Sequence, residues 1–167
     1  MPGVALRECV GFFSSLLKGA RRIEAVDINP DAVKNTRMNF ARHDIKNGRA
    51  FVSDGFSSVR GKFDVIVWNA PFHGSRAADL LERGCADEGY KDVREFFIRV
   101  PKFLKSGGRV VLGFSESGDL NLVRRLVRYC GLRVLRELSD WRDGYNCVML
   151  ELSFDIRPAL PTLDAIA

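Results

Sequence analysis

One stretch of the chain, Phe63 to Gly74, restricts the fold more than any other. Val65 to Trp68 is continuously apolar, which is typical of a parallel strand buried on both faces. Pro71 has no N–H to donate and a fixed φ, so the strand has to end near Asn69. Open α/β sheets bind ligands at the carboxyl ends of central strands, so the sequence predicts a ligand site at Asn69 and Phe72.

The rest of the chain alternates between strand and helix patterns. Asn29, Pro30 and Asp31 mark a helix N-terminus, since they supply an N-cap, a proline at the first helical position and an acidic residue suited to the helix dipole. The predicted helices lie at about 11–18, 30–42, 77–83, 93–104 and 122–130. The predicted strands lie at about 3–6, 23–27, 50–53, 63–68, 109–114, 132–138 and 148–154.

This alternation predicts an α/β fold, in which helices cover both faces of a sheet of seven mostly parallel strands with a short first strand. Asp143-Gly144 signals a hairpin, so one C-terminal antiparallel strand is expected near the sheet edge. Residues 1–157 are expected to form a single domain, and residues 158–167 a frayed tail.

Composition excludes several classes of protein. The net charge of +5 permits polyanion binding without requiring it. Cys9, Cys85, Cys130 and Cys147 are widely separated, so no metal site is predicted, and the cysteines are expected to be reduced and mostly buried in a cytoplasmic protein. The apolar run at 11–17 is too short to span a bilayer, and no membrane association is expected. The chain lacks the G-x-G-x-x-G turn of a nicotinamide-dependent oxidoreductase.

The tetrapeptide Asn69-Ala70-Pro71-Phe72 resembles the Asn/Asp-Pro-Pro-Tyr/Phe signature of S-adenosylmethionine-dependent methyltransferases acting on exocyclic or amide nitrogens. Extended by His73-Gly74, it is similar to the form found in ribosomal RNA guanine-N2 methyltransferases. The order of elements also looks like the class I methyltransferase fold, which is three-layered and Rossmann-like. One position departs from the signature, because Ala70 stands in place of its first proline.

The resemblance implies S-adenosyl-L-methionine as cofactor. Asp27 would accept hydrogen bonds from the ribose hydroxyls, or else its carboxylate caps the helix beginning at Pro30. Asp54 would accept from the adenine amino group, although Asp-Gly is also a common turn. Ile28 and Phe56 either flank the adenine ring or belong to the core. The expected cofactor-binding residues are Gly11, Asp27, Ile28, Asp54, Gly55 and Asn69.

Methyl transfer requires an acceptor nitrogen held in line with the methyl group, so positioning supplies much of the rate. The resemblance implies a catalytic set of Asn69, Ala70, Pro71 and Phe72. The Asn69 side chain and the Ala70 carbonyl would accept hydrogen bonds from the acceptor amine. Phe72 would stack on a planar substrate, or act as a hydrophobic plug over the sheet. The expected acceptor is an RNA or DNA base, a protein glutamine side chain or a small planar amine.

The beginning of the chain departs from the family pattern. An acidic residue and three closely spaced glycines follow the first strand in the family, whereas this chain has Ala5, Arg7 and Cys9 and retains only Gly11. A diverged loop, a shortened N-terminus and a domain without cofactor all fit this difference. The alternative function is therefore a non-catalytic methyltransferase-like binding module. Its polyanion face would consist of Arg124, Arg125, Arg128, Arg133, Arg136 and Arg142.

Overall fold

A computed structural model describes residues 20–79, 82–142 and 145–154 of the 167-residue chain. The helices are α1 (Pro30–Arg42), α2 (Lys91–Phe103) and α3 (Leu120–Tyr129). The strands are β1 (Ile23–Asp27), β2 (Gly48–Val52), β3 (Phe63–Asn69), β4 (Leu104–Ser115), β5 (Leu132–Arg142) and β6 (Tyr145–Phe154). Two 3-10 turns, Glu82–Gly84 and Glu88–Tyr90, lie between β3 and α2.

Several predicted features lie outside the described residues. They are the first strand at 3–6, the first helix at 11–18 with Gly11, the Asp143-Gly144 turn and the tail at 158–167.

The strands form two groups, which are not hydrogen-bonded to each other within the described residues. β1 pairs in parallel with β2, and the second group has the order β3-β4-β6-β5. β3 and β4 are parallel, whereas β6 is antiparallel to both β4 and β5. The α/β architecture and the reversed strand near the edge agree with the sequence prediction. The described residues contain six strands with mixed pairing, however, and do not form the predicted single sheet of seven.

Helix α1 begins as the sequence predicts. The Asn29 side chain accepts a hydrogen bond from the N–H of Asp31 at 2.9 Å, and Pro30 occupies the first turn. The helix buries Val33 and Phe40 against β1 and β2. These contacts fix the direction in which the chain leaves the end of β1.

Helix α2 packs its apolar stripe on the sheet. Its buried residues are Val93, Phe96, Phe97 and Val100. Pro101 lies in the last turn, and the helix ends two residues later at Phe103. β4 then begins at Leu104, five residues before its predicted start, and its pairing with β3 shifts register at Phe63 and Val65. The left-handed φ of +72° at Gly107 accommodates this irregular start.

The central strand β3 is covered on both faces, as its continuous apolar run predicts. Ile66 is buried in a cluster with residues of α2, α3, β4 and β6, while Val67 is buried in a second cluster with residues of α1, β1 and β2. Adjacent strand residues point to opposite faces, so the two clusters lie on opposite sides of the sheet.

The short helix predicted at 77–83 is wrong for the described part of that segment. Residues 77–79 are not helical, and only Glu82–Gly84 forms a 3-10 turn. None of the helices in the described ranges is both long and apolar enough to cross a membrane.

Candidate active site

The carboxyl ends of β1 and β2 bring two carboxylates to the same edge. Asp27 ends β1 and pairs in register with Val52, the last residue of β2. The Ser53 N–H continues the pairing by donating to the Asp27 carbonyl at 2.9 Å. Asp54 follows immediately, and both acidic residues line one cleft. Parallel pairing thus brings together residues that are 27 positions apart in sequence.

This strand-end cleft contains about 830 Å³ of empty space, counting the part open to solvent. β1, β3 and the turn after β2 contribute lining residues on one side, and helix α2 contributes others. The lining consists of Val26, Asp27, Ile28, Ser53, Asp54, Gly55, Phe56, Ile66, Val67, Trp68, Arg83, Asp92, Glu95, Phe96 and Arg99.

Asp27 is 9% exposed, and its Oδ1 accepts a hydrogen bond from the Asn29 N–H at 2.8 Å. The cap of α1 is the Asn29 side chain, so the interpretation of Asp27 as the helix-capping residue is wrong. Asp27 instead stabilises the turn between β1 and α1, and it also lines the cleft. A carboxylate oriented in this way has lone pairs suited to hydroxyl donors.

The turn after β2 is held by Ser53. Its Oγ donates to the Gly55 carbonyl at 2.9 Å and accepts from the Ser58 N–H at 3.0 Å. Gly55 has φ of +50°, a conformation that favours glycine, and Asp54 is exposed beside it. The Asp-Gly pair is therefore a turn that also places a carboxylate at the cleft.

The apolar wall of the cleft is part of the core. Phe56 is 7% exposed and stacks on Phe103 at a centroid distance of 4.5 Å. Trp68 lies 4.4 Å from the ring of Phe96 on α2. Ile28 is half-buried at the rim. Phe56 is consequently a core residue that also borders the cleft, so the two alternatives for this residue are compatible.

The sequence did not lead us to expect the charged residues that α2 contributes to the cleft. Asp92 is 3.1 Å from Arg83, and Glu95 is 2.9 Å from Arg99. Asp92, Glu95 and Arg99 follow one another at helical spacing beside the apolar stripe of α2. This polar stripe could have identified them from the sequence, because the helix follows the loop at the end of β3.

The segment Asn69–Gly74, here called the Asn69 loop, begins at the end of β3. Asn69 pairs with Gly113 of β4, and the Ala70 N–H donates to the Gly113 carbonyl at 2.9 Å. A Cβ at Gly113 would lie 2.6 Å from Asn69 Oδ1, so the Asn69 amide occupies the space above this glycine. Ala70 and Pro71 are buried and Phe72 is half-buried, whereas Asn69 is exposed.

The Asn69 loop is tied to the segment that precedes α2. The N–H groups of Phe72 and His73 both donate to the Cys85 carbonyl, at 3.0 and 2.9 Å. The Asp87 N–H donates to the His73 carbonyl at 2.8 Å. The buried Asp87 carboxylate in turn accepts from the N–H groups of Asp92 and Val93, at 3.0 and 2.9 Å. The loop thus has a defined position relative to the N-terminus of α2.

The structure therefore gathers part of the predicted site. Asp27, Ile28, Asp54 and Gly55 line the strand-end cleft, whose lining on β3 stops at Trp68, one residue before Asn69. Asn69, Ala70, Pro71 and Phe72 lie together in the Asn69 loop, beside the cleft and outside its lining. Gly11 lies outside the described residues.

Cysteine burial differs from the prediction. Cys85 and Cys130 are half-buried and Cys147 is exposed, so the expectation of mostly buried cysteines is wrong for the three described ones. Partial burial raises the pKa of the Cys130 thiol. Across the described ranges, no three His, Cys, Asp or Glu side chains are grouped so that they could hold a metal ion.

The arginine-rich helix α3 carries ion pairs. Arg124 lies 2.8 Å from Glu137, and Arg125 lies 3.6 Å from Asp119. Arg128 is exposed. The carboxylates reduce the positive field of the face predicted to bind a polyanion.

An α/β sheet with carboxylates at two adjacent strand ends, followed by Asn-x-Pro-Phe at the end of β3, resembles the class I methyltransferases. A family model described as the methyltransferase small domain matches residues 9–123. The chain belongs to this family, and S-adenosyl-L-methionine is the cofactor of its class. The resemblance found in the sequence is thereby confirmed.

Two curated relatives differ in the substrates that their names state. A putative protein N5-glutamine methyltransferase of Methanocaldococcus jannaschii is 38% identical over 116 residues, which are 65% of this chain and 58% of that protein. The ribosomal RNA small subunit methyltransferase C of Chromohalobacter salexigens is 36% identical over 96 residues, which are 58% of this chain and 25% of that protein. The aligned region thus spans less than two thirds of either relative.

Solved structures share the fold. The ribosomal protein L11 methylase of Lactobacillus delbrueckii subsp. bulgaricus matches with a TM-score of 0.68 and 17% identity, over 92% of this chain and 69% of that one. A methyltransferase from Pyrococcus furiosus matches with a TM-score of 0.66 and 17% identity, over 92% and 75% of the two chains.

Proposed function

We propose that this chain is an S-adenosylmethionine-dependent N-methyltransferase and that its acceptor is the side-chain amide of a protein glutamine. The observation that carries the proposal is the position of the Asn69 amide, above Gly113 at the end of β3 and next to the strand-end cleft. The alternative acceptor is an exocyclic amine of an RNA or DNA base.

The residues of the strand-end cleft fit the cofactor. Asp27 and Asp54 offer carboxylate acceptors to the hydroxyl and amino donors of a nucleoside, and Ile28 with Phe56 offers apolar contact to its base. When bound there, S-adenosyl-L-methionine supplies an electrophilic methyl group on a sulfonium. Trp68 lines this cleft and directly precedes Asn69, so β3 runs from the cleft to the residues proposed to hold the acceptor.

The Asn69 loop would orient the acceptor. An amide nitrogen is a poor nucleophile because its lone pair is delocalised into the carbonyl. Hydrogen bonds from its N–H groups to the Asn69 Oδ1 and the Ala70 carbonyl would favour a pyramidal nitrogen and direct the lone pair at the methyl group. Phe72, half-buried beside them, would pack on the flat face of the amide.

The charge distribution favours a protein amide over a nucleic acid. Arg124 and Arg125 are paired with Glu137 and Asp119, so two of the three arginines on this helix offer reduced charge to phosphates. One relative, which is 38% identical over 116 residues, is named as a putative protein N5-glutamine methyltransferase. Binding of single-stranded RNA is therefore expected to be weak and to depend little on salt.

Two further points of architecture belong to this proposal. The two strand groups would join into one sheet of seven strands if residues 3–6 form the first strand. Residues 1–157 would then make up a single domain, with residues 158–167 as its tail. The shared burial of Val67 with residues of β1, β2 and α1 supports one continuous sheet.

The test compares Asn69→Ala with Asn121→Ala, an exposed asparagine on α3 that serves as the matched control. Calorimetry with S-adenosylhomocysteine measures cofactor affinity, and transfer of a labelled methyl group to glutamine peptides and to RNA measures activity. We expect Asn69→Ala to abolish transfer while cofactor affinity and thermal stability stay unchanged. Absence of binding heat at millimolar ligand would favour the non-catalytic module, and unfolding of Asn69→Ala would make Asn69 a structural group.

A further inference from the structure

We propose that the Tyr90 hydroxyl is a positioning group that holds the Asn69 loop against the start of α3. This inference rests on the proposed function, because it assigns Tyr90 to the acceptor side of the same site. Tyr90 lies outside the strand-end cleft and stands between the loop after β3 and helix α2.

The hydroxyl makes two hydrogen bonds at once. It donates to the Phe72 carbonyl at 3.1 Å and accepts from the Asp119 N–H at 2.9 Å. Phe72 is also held through its own N–H, which donates to Cys85. Both peptide groups of Phe72 are thus restrained, and one of these restraints depends on the side chain of Tyr90.

The backbone of Tyr90 adopts a conformation that is unfavourable for tyrosine. Its φ and ψ are 58° and 39°, in the left-handed region that favours glycine or asparagine. Its N–H donates to the Asp87 carbonyl at 2.9 Å, which holds the turn in place. A side chain kept in such a position despite the local cost indicates that the ring and hydroxyl are required there.

Neighbouring glycines leave room for this arrangement. A Cβ at Gly74 would come within 2.9 Å of the Tyr90 ring, and a Cβ at Gly118 would lie directly against the Phe72 carbonyl. The Asn69 loop, the start of α2 and the turn before α3 therefore converge on one carbonyl group. Only hydrogen at these two positions allows the three segments to approach so closely.

The contact also links the loop to a helix. Asp119 is the N-cap of α3, where its carboxylate accepts from the Leu122 N–H at 2.8 Å. Tyr90 thereby connects the position of Phe72 to a rigid element of the core. Loss of the hydroxyl would remove the hydrogen bond that ties the Phe72 carbonyl to α3 and would loosen the position of residues 70–72 relative to that helix.

The test compares Tyr90→Phe with Tyr129→Phe, since Tyr129 is 84% exposed on α3. Hydrogen exchange should become about tenfold faster at the amides of Phe72, His73 and Asp119 in Tyr90→Phe alone. The kcat for methyl transfer should fall about tenfold to hundredfold, while the KM for the acceptor and the affinity for S-adenosylhomocysteine stay within about twofold. Gly118→Ala, which pushes on the same carbonyl, should show the same division between kcat and KM.

Unchanged exchange at these three amides would overturn the proposal, and so would an unchanged kcat. Faster exchange throughout α3 together with a lower melting temperature would also overturn it, because the role of Tyr90 would then be general stability. If the wild-type chain transfers no methyl group to any acceptor tested, the proposed function fails on its own. The exchange measurement then decides by itself whether Tyr90 holds the loop.

Discussion

Replacing Gly113 with alanine tests whether the space above this glycine sets the orientation of the Asn69 amide. The new Cβ would lie 2.6 Å from Asn69 Oδ1, about 0.8 Å short of the 3.4 Å at which ordinary contact begins. The amide of Asn69 is exposed, so it can rotate away into solvent. The substitution should therefore misplace the Asn69 amide without disturbing the core.

The expected magnitudes differ for folding and for catalysis. A strained rotamer of Asn69 would destabilise the fold by about 0.5–1.5 kcal/mol. Alanine in place of glycine lowers the conformational entropy of the unfolded chain, which stabilises the fold by about 0.4–1 kcal/mol. The free energy of unfolding should thus change by less than about 1 kcal/mol. A shift approaching 1 Å in a positioning group lowers a rate by up to about 100-fold, so kcat should fall about 10- to 100-fold.

The assay needs three measurements on the same preparations. Urea unfolding gives stability, calorimetry gives the affinity for S-adenosylhomocysteine, and labelled methyl transfer gives kcat and KM. Gly84→Ala is the matched control, because a Cβ at Gly84 meets nothing within 4 Å. The control should match the wild-type protein in all three measurements.

Two results would refute this reasoning. A wild-type kcat in Gly113→Ala would show that transfer does not depend on where the Asn69 amide lies. A loss of stability above about 2 kcal/mol would show that the amide is part of the packed structure and cannot move aside.

Three further predictions concern single carboxylates. Asp27→Asn should retain the acceptor for Asn29 and the fold but weaken S-adenosylhomocysteine binding about tenfold or more in calorimetry, and unchanged affinity would remove Asp27 from the cofactor site. Asp87→Ala should lower the free energy of unfolding, measured by urea denaturation, by about 1–3 kcal/mol, because two N–H groups at the start of α2 lose their acceptor. A decrease of less than about 0.5 kcal/mol would contradict this. The hydrogen bond from Lys105 lowers the pKa of Asp64, so the pair stabilises the fold above the unfolded-state pKa of about 4 and the effect is lost as pH falls through the folded-state value. Asp64→Asn should therefore cost no more than about 0.5 kcal/mol at pH 7 for this partly exposed pair, and this cost should shrink as the pH falls below about 4. A cost that does not shrink on acidification would exclude the ion pair as its cause.

Features that depend on a few adjacent residues were predictable from the sequence. The apolar run that ends before Pro71 predicted β3, and Asn29-Pro30-Asp31 predicted the start of α1. The alternation of Val148, Leu150 and Leu152 predicted the buried face of β6. In each case the physical cause, a missing N–H, a side-chain cap or a strand periodicity, acts over a short distance along the chain.

Features that depend on distant residues were not predictable. The role of Gly113 follows from its register opposite Asn69, and the pairing of Arg124 follows from the place of Glu137 in β5. The absence of a helix at residues 77–79 has a local cause that propensity does not capture. The Asp79 and Glu82 side chains accept hydrogen bonds from nearby N–H groups and compete with helical bonding.

Because β6 lies between β4 and β5, this sheet cannot assemble in the order in which its strands are synthesised. β6 is the last strand described along the chain, yet Val148, Leu150 and Leu152 fill the centre of the sheet. Until the ribosome has released residues 145–154, the apolar edge of β4 has no partner on that side and β5 has no neighbour in this sheet. The unpaired edge of β4 is therefore open to association with other strands until β6 is available, and the described sheet is complete only when β6 has joined it.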